Sequence, residues 1–310
     1  MPFRYTLRQL EYFVAVGKAG SIASASEVLN ISSPSISAAI AQLESEFGLT
    51  LFVREHAKGL TLTEAGHRFM DQTLRVLDEA EYLSTLAGEI TDTALGRLNV
   101  GCLLTFAQMA LPGVRRAFET EHPNVQISQR VLNQAEIFSQ IRREEIDVAL
   151  TYDLDIPSDL SFEPLMDLPP YVLMDDKHAL ADRDELTVKD LRDHPMVLLD
   201  LPYSSDYFLS FFSRANIRPR VRERTGDMSV MRAMVANGFG FSIANILPLN
   251  SVSPDGKALR FIPLKGNLKP MRLGLLHLQA KNKTATVKAF SVLCRKMVES
   301  DALPGLQGIR

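Results

Sequence analysis

The 310-residue chain has no apolar run long enough to span a bilayer, because polar residues interrupt every hydrophobic stretch. Its first ten residues carry no apolar segment of the kind a secretory signal needs, so a cytoplasmic protein with no membrane partner is expected. Cysteine is scarce. Cys102 and Cys294 cannot build a disulfide framework, and a reducing compartment fits them. Buried, inert thiols are the first expectation for this pair, and a disulfide switch is the rarer alternative. Metal-ligand spacing, a phosphate-binding loop and a nucleophile elbow are all missing. The six histidines are scattered, and Glu144–Glu145 and Asp175–Asp176 read as solvated pairs. No catalytic residue, metal or cofactor is therefore expected. Repeats and low-complexity tracts are absent too. Positive charge is also short: the formal net charge is −3, and before Gly66 five bases face six acids. That balance runs against the usual footprint of a nucleic-acid-binding domain.

What is present is length for two or three domains and one stretch that organises the rest, Gly20 to Glu44. It reads as two helices joined by a polar turn. Ala23, Ala25, Val28 and Leu29 are small or apolar on the first. Ser33 followed by Pro34 marks the start of the second, a hydroxyl cap before a residue whose missing N–H costs nothing there. Ile36, Ile40, Leu43 and Phe47 then recur at helical spacing as one buried stripe. The opposite face carries Ser35, Ala38, Gln42 and Ser45. It is small, polar and nearly uncharged, suited to lying against base edges in a major groove. The pattern predicts a helix-turn-helix with Ser33 to Ser45 as recognition helix.

The flanks extend this pattern. Leu7, Arg8, Gln9 and Leu10 are followed by Phe13 and Val16, then Gly20, Ser21 and Ala25. Ser32, Pro34, Ile36 and Ser37 come next, then Leu43, Glu44, Leu51, Phe52 and Arg54, and Leu62 to Gly66. Together these residues closely resemble the DNA-binding end of the LysR-type transcriptional regulators. The resemblance implies double-stranded DNA as partner, with Ser32, Ser33, Pro34, Ser35, Ser37, Ala38 and Gln42 at the reading surface. It departs from the family at Ser33, where Gln is common, and at Ala38, where Arg or Lys is common. Both positions can read bases, so the operator sequence is what changes. Leu49 to Thr63 reads as a two-stranded wing anchored by Leu51 and Phe52, with Arg54 and Lys58 placed to touch phosphate. A surface ion pair with Glu55 is the alternative for Arg54. With so few bases, one module is expected to bind weakly, with a shallow salt dependence per subunit, and tight binding is expected to need a dimer or tetramer.

Thr63 is a cap and Glu64 favours the positive end of the next helix. Phe69, Thr73, Val76, Ala80, Leu83, Ala87 and Ile90 then form a heptad seam, which predicts a dimerisation helix. In the resembled family this linker pairs two subunits. From Arg97 strands alternate with helices, which implies parallel α/β sheets. A helix is expected over Thr105 to Thr120, broken at Pro112. The segments from Leu111 to Ile127 and Ile141 to Leu150 resemble the family's effector-binding domain, apart from the usual glycine at Glu144 or Glu145.

The expected fold is an all-α winged helix-turn-helix (1–66) and linker helix (67–92), then an α/β two-lobed, periplasmic-binding-protein-like effector domain (93–310). One lobe takes 93–168 and 266–310, the other 169–265. Ligands of such sheets bind at the carboxyl ends of strands, where helix N-termini point inward. Three junctions qualify: Thr105 and Phe106; Tyr203, Ser204 and Ser205; and Thr225. Tyr152 and Phe241 stand near strand ends as walls, with core packing the equal alternative. Ser204 or Ser205 as a helix cap, and Thr225 as a turn residue, are the plain alternatives at the other positions. The expected ligand is a small organic acid. Competing readings are a two-lobed solute-binding protein or enzyme and a winged helix used for protein contact.

Overall fold

The computed structural model describes residues 3–55, 59–91, 93–279, 283–300 and 302–303. Two compact units divide the chain, Met1–Ala87 and Gly88–Arg310.

The first unit opens with α1 (Leu7–Ala19), started by a capping box in which Thr6 and Gln9 satisfy each other's backbone N–H. Then come α2 (Ile22–Leu29) and α3 (Ser33–Phe47). The wing is β1 (Phe52–Glu55) antiparallel to β2 (Gly59–Leu62), and α4 (Glu64–Thr91) follows. Leu10, Phe13, Val16, Ala25, Ile36, Ile40, Leu43 and Leu51 form the core. Phe13 is its centre, with the rings of Phe52 and Phe69 at 5.4 and 5.3 Å.

Several expectations need correction here. The cap of α3 is Ser32, extended at ψ 138°, and its carbonyl accepts from Ser35 and Ile36. Ser33 is already helical, which moves Pro34 one place inward, still within the first turn where no N–H is required. Phe47 is 39% exposed and covers the core's rim against Tyr5 and Phe69. Leu7, in the first turn of α1, is exposed, as are Ala23 and Val28 on α2.

Glu44 joins the helices to the wing. Its carboxylate accepts from the backbone N–H of Leu51 at 2.7 Å and of Phe52 at 3.3 Å. Gly66 sits where a Cβ would lie 2.2 Å from the Leu51 carbonyl oxygen, so α4 passes this corner only as glycine. Glu44→Ala leaves two donors without this partner and is expected to cost about 1–3 kcal/mol. Urea unfolding of the parent and variant chains measures it; an unchanged midpoint would show that the corner holds without the carboxylate.

In α4 the heptad seam divides. Thr73 is buried, and Phe69 and Val76 pack on the unit's own core. Further along, Leu83 is 66% and Ile90 77% exposed. A helix of 28 residues is roughly 42 Å long, more than a domain this small can cover.

The second unit begins with β3 (Gly96–Leu103), α5 (Leu104–Ala107), α6 (Leu111–Glu121), β4 (Val125–Leu132), α7 (Gln134–Arg142), β5 (Val148–Tyr152) and β6 (Leu160–Leu168). It continues with β7 (Tyr171–Asp175), β8 (Leu186–Thr187), β9 (Pro195–Leu199), α8 (Ser204–Arg214), β10 (Arg220–Thr225) and α9 (Met228–Ala236). β11 (Ser242–Ala244), β12 (Leu259–Lys265), β13 (Met271–Leu278) and α10 (Ala285–Glu299) complete it. One sheet has the order β4-β3-β5-β13-β6, another β11-β7-β12-β8, and β9 pairs with β10. The chain leaves the first sheet after β6 and returns to it as β13, so two crossovers join two lobes.

The sheets are mixed, not parallel throughout. β13 runs antiparallel to both β5 and β6, and β7 antiparallel to β11 and β12. The break in the expected helix falls between Ala107 and Leu111, and Pro112 lies inside the first turn of α6. Gly240 (φ 141°) lets β9 and β11 approach: a Cβ there would stand 2.1 Å from the Pro195 carbonyl. Phe241 exchanges backbone hydrogen bonds with Pro195 and Val197 at 2.9 and 2.8 Å, tying the β9–β10 pair to the second sheet.

Cys102 on β3 and Cys294 on α10 are buried and free. Burial, and then the neighbouring Cys294, pushes the Cys102 thiol well up. Burial alone takes Cys294 to about 12. Both stay protonated at neutral pH and are poor nucleophiles.

Candidate nucleic-acid interface and effector site

The reading face of α3 follows from how the helix is seated. Ile36, Ala39, Ile40 and Leu43 turn into the core, so Ser35, Ala38, Gln42 and Ser45 turn out, and all four are exposed. Ser32, Pro34 and Ser37 are exposed and Ser33 is half-buried. The hydroxyls of Ser32 and Ser35 lie 2.8 Å apart across the helix start. Gln42 accepts from the side-chain N–H of Gln9 at 2.7 Å, which fixes its amide oxygen and leaves its own NH₂ group as donor. The face therefore offers hydroxyls, one amide and the N-terminus of a 15-residue helix, with no net charge. Arg54 lies on β1, its Cα opposite Leu60. Lys58 falls outside the described residues.

The expected effector residues separate into two groups. Phe106 and Phe241 are fully buried core side chains, and Phe241 packs near Phe212 with ring centroids 6.4 Å apart. For Phe241 this is the core packing weighed beside a wall role. Thr105 and Tyr152, both buried, meet hydroxyl to hydroxyl at 3.0 Å, joining the end of β5 to α5. Burial raises the Tyr152 phenol far above its ordinary value, so it acts as a neutral donor or acceptor.

Tyr203 precedes α8 in a left-handed conformation, φ 67°, which side chains rarely adopt. Its ring packs across the lobes on Phe138 of α7, centroids 5.6 Å apart. Ser204 is buried, and Ser205 donates to the Leu201 carbonyl at 3.4 Å. No side chain caps α8, so neither serine plays the capping role open to it. The neighbouring helices differ. α7 is closed by a capping box of Asn133 and Glu136, and α9 by the Asp227 carboxylate on the N–H groups of Ser229 and Val230. Thr225 belongs to that second cap, accepting from the Asp227 N–H at 3.2 Å. α8 shares its uncapped start with α5, the one-turn helix after β3, and of the three junctions only the one at Thr225 is closed by a side chain.

Several residues at the lobe junction carry no motif that marks them in sequence. Gln134 is buried and donates to the carbonyls of Tyr152 and Leu154 at 3.1 and 3.3 Å. Asn245 donates to the Leu168 carbonyl at 2.7 Å and to the Tyr207 hydroxyl at 3.1 Å. Tyr207 in turn donates to the Lys269 carbonyl at 2.8 Å. Asn245 and Tyr207 thus hold both crossovers. Burial raises the Tyr207 phenol to about 12, so this donor persists at neutral pH.

The helix-turn-helix and the two-lobed α/β unit each match a known domain. Residues 7–67 match the model of the bacterial regulatory helix-turn-helix protein, lysR family, and residues 91–299 that of the LysR substrate binding domain. The chain belongs to the LysR family. Among relatives of this LysR-type chain, HcaR, the Hca operon transcriptional activator of Escherichia coli (strain K12), is 29% identical over 270 residues. The match covers 86% of this chain and 90% of HcaR. The crystal structure of HinK, a LysR family regulator from Pseudomonas aeruginosa, is 32% identical with a TM-score of 0.64, over 94% of this chain and 98% of HinK. OxyR of Corynebacterium glutamicum, at 23% identity, shares the fold over the whole of both chains with a TM-score of 0.73. As a LysR-type protein the chain is a DNA-binding transcriptional regulator with an effector-binding domain. No helix among its described residues is long and apolar enough to cross a membrane.

Proposed function

We propose that this regulator reads its operator through the exposed face of α3 and answers to a small organic acid held between the two lobes. Residues 1–66 form the DNA-binding domain, 67–92 the pairing helix and 93–310 the effector domain, in a cytoplasmic protein without catalytic activity. The carboxylate sits at the N-terminus of α8, against backbone N–H groups and Ser204. Thr105 and Tyr152 supply hydroxyls on the facing lobe. The observation that carries this reading is the uncapped start of α8 with buried Ser204 in its first turn, the starts of α7 and α9 being filled and α5 being a single turn. An uncapped helix N-terminus attracts anions, and a filled one does not. Binding between lobes shifts their closure, so effector and operator affinities are reciprocally coupled.

A thermal-shift screen of the full chain against small carboxylic acids tests the reading. An acid present at a hundredfold its dissociation constant adds about 2.7 kcal/mol, or roughly 5–10 °C for a domain this size. Ser204→Ala is expected to reduce the shift. A panel of acids that leaves the melting temperature unmoved contradicts the proposal.

A further inference from the structure

Gln42 lies one turn beyond Ala38 on the exposed side of α3, and its amide meets a side chain of α1. Gln9 Nε2 donates to Gln42 Oε1 at 2.7 Å. An amide has one acceptor end and one donor end, so the end that Gln42 turns outward depends on the end that Gln9 offers it. For Gln9 that choice is already made. Its Oε1 is the acceptor of the capping box that starts α1, taking the Thr6 backbone N–H at 2.8 Å and the Thr6 hydroxyl at 3.1 Å. Its NH₂ group is what remains for α3. Gln42 answers with its oxygen, and its own NH₂ group is turned away from α1. The cap of one helix thus sets the chemistry on the face of another.

We infer, on the reading that the exposed face of α3 meets the operator, that Gln9 is a positioning residue for base readout. It holds Gln42 as a donor, so that Gln42 selects bases with a keto oxygen in the major groove, guanine at O6 or thymine at O4. A glutamine free to use both ends pairs bidentately with adenine, accepting from N6 and donating to N7. Gln42, with its oxygen turned to α1, sets donor against donor at adenine N6 and at cytosine N4. The bond between the two amides also ties α1 to α3, but that role needs no particular polarity, since the amides join equally well either way round.

Gln9→Glu reverses the polarity. Glutamate at this position of a capping box is an accepted partner of the cap threonine, so α1 keeps its start. Its second carboxylate oxygen accepts where Gln9 donates, and Gln42 must then give its NH₂ group to α1 and turn its oxygen outward. The probe is the duplex upstream of the chain's own gene, prepared as a set of single base-pair substitutions and measured with the full chain by competition gel shift. In the parent, one base position per half-site is expected to favour guanine and thymine over adenine and cytosine by roughly fivefold. Gln9→Glu is expected to invert that order and to leave the order at other positions as it was. The added charge weakens every duplex alike and cancels in the ratio. Gln42→Ala is expected to flatten the same position, with Gln9 or with glutamate behind it. An unchanged base order in Gln9→Glu overturns the inference. So does a Gln42→Ala variant that loses affinity evenly at all positions, which would put the amide on phosphate. Ala38→Glu separates this role from the reading beneath it. If that folded variant keeps its operator, α3 is not the reading surface; if it loses the operator while Gln9→Glu keeps the parent order, the positioning role alone fails.

Discussion

Ala38→Glu is expected to bind operator DNA at least ~100-fold more weakly than the parent chain, with its fold unchanged. Ala38 lies on the outward face of α3, opposite Ile36, Ile40 and Leu43. A glutamate there is compatible with helix and touches no core residue, so stability stays within about 0.5 kcal/mol. At the DNA the same carboxylate faces base-edge acceptors and two strands of phosphates. It also displaces the close approach that a methyl group permits. A single good base contact is worth about 1–3 kcal/mol, and a repelling charge both removes neighbouring contacts and adds its own cost, hence the hundredfold floor. Gel shifts on the DNA upstream of the chain's own gene measure it. Undiminished binding by a folded Ala38→Glu protein would remove α3 from the interface.

Leu83→Asp with Ile90→Asp is expected to separate the subunits, raising the dissociation constant of the dimer by at least ~100-fold. The two side chains are the most exposed large apolar residues of α4, one seam step of seven apart, and each unit's own core ends before them. Burying a leucine or isoleucine fully is worth about 1.5–3 kcal/mol, and a seam between two copies buries both residues twice. Replacing them with carboxylates forfeits that gain and sets like charges against each other across the pair. The monomer should keep its melting behaviour, because neither side chain belongs to its core. Sedimentation at a range of concentrations distinguishes the outcomes, and an unchanged dimer would place the subunit contact elsewhere.

The parts legible in sequence are those where one local rule decides. Gly20, Asn30 and Gly48 end their helices in left-handed conformations, and Ile36, Ile40 and Leu43 announce the buried side of α3 by spacing alone. Thr63 caps α4 as its chemistry suggests, accepting from the Gly66 N–H at 2.8 Å. Strand direction was not legible. β6 and β12 carry mixed polarity, and what turns β13 antiparallel is the return crossover, a feature of topology and not of any short window. The sequence marks three strand-to-helix junctions, but not which of their helix starts carries a side-chain cap. Phe241 reads equally as a wall or as core packing until the sheets close over it. Whether a helix start is free or filled depends on Asn133, Asp227 and Tyr203 taking different backbone conformations, which residue type alone does not decide. Gln134 and Asn245 escaped notice because a buried amide leaves no pattern in sequence; its role is set by carbonyls far along the chain.

The most direct measurement places a photo-crosslinker at position 38 through Ala38→Cys, on operator DNA. The native thiols suit the experiment, since Cys102 and Cys294 are buried and the label goes to the new cysteine. Cross-links to major-groove base edges inside the protected site are the expected result. Efficient labelling with no cross-link to DNA, while the operator remains bound, would contradict the assignment of this face as the reading surface.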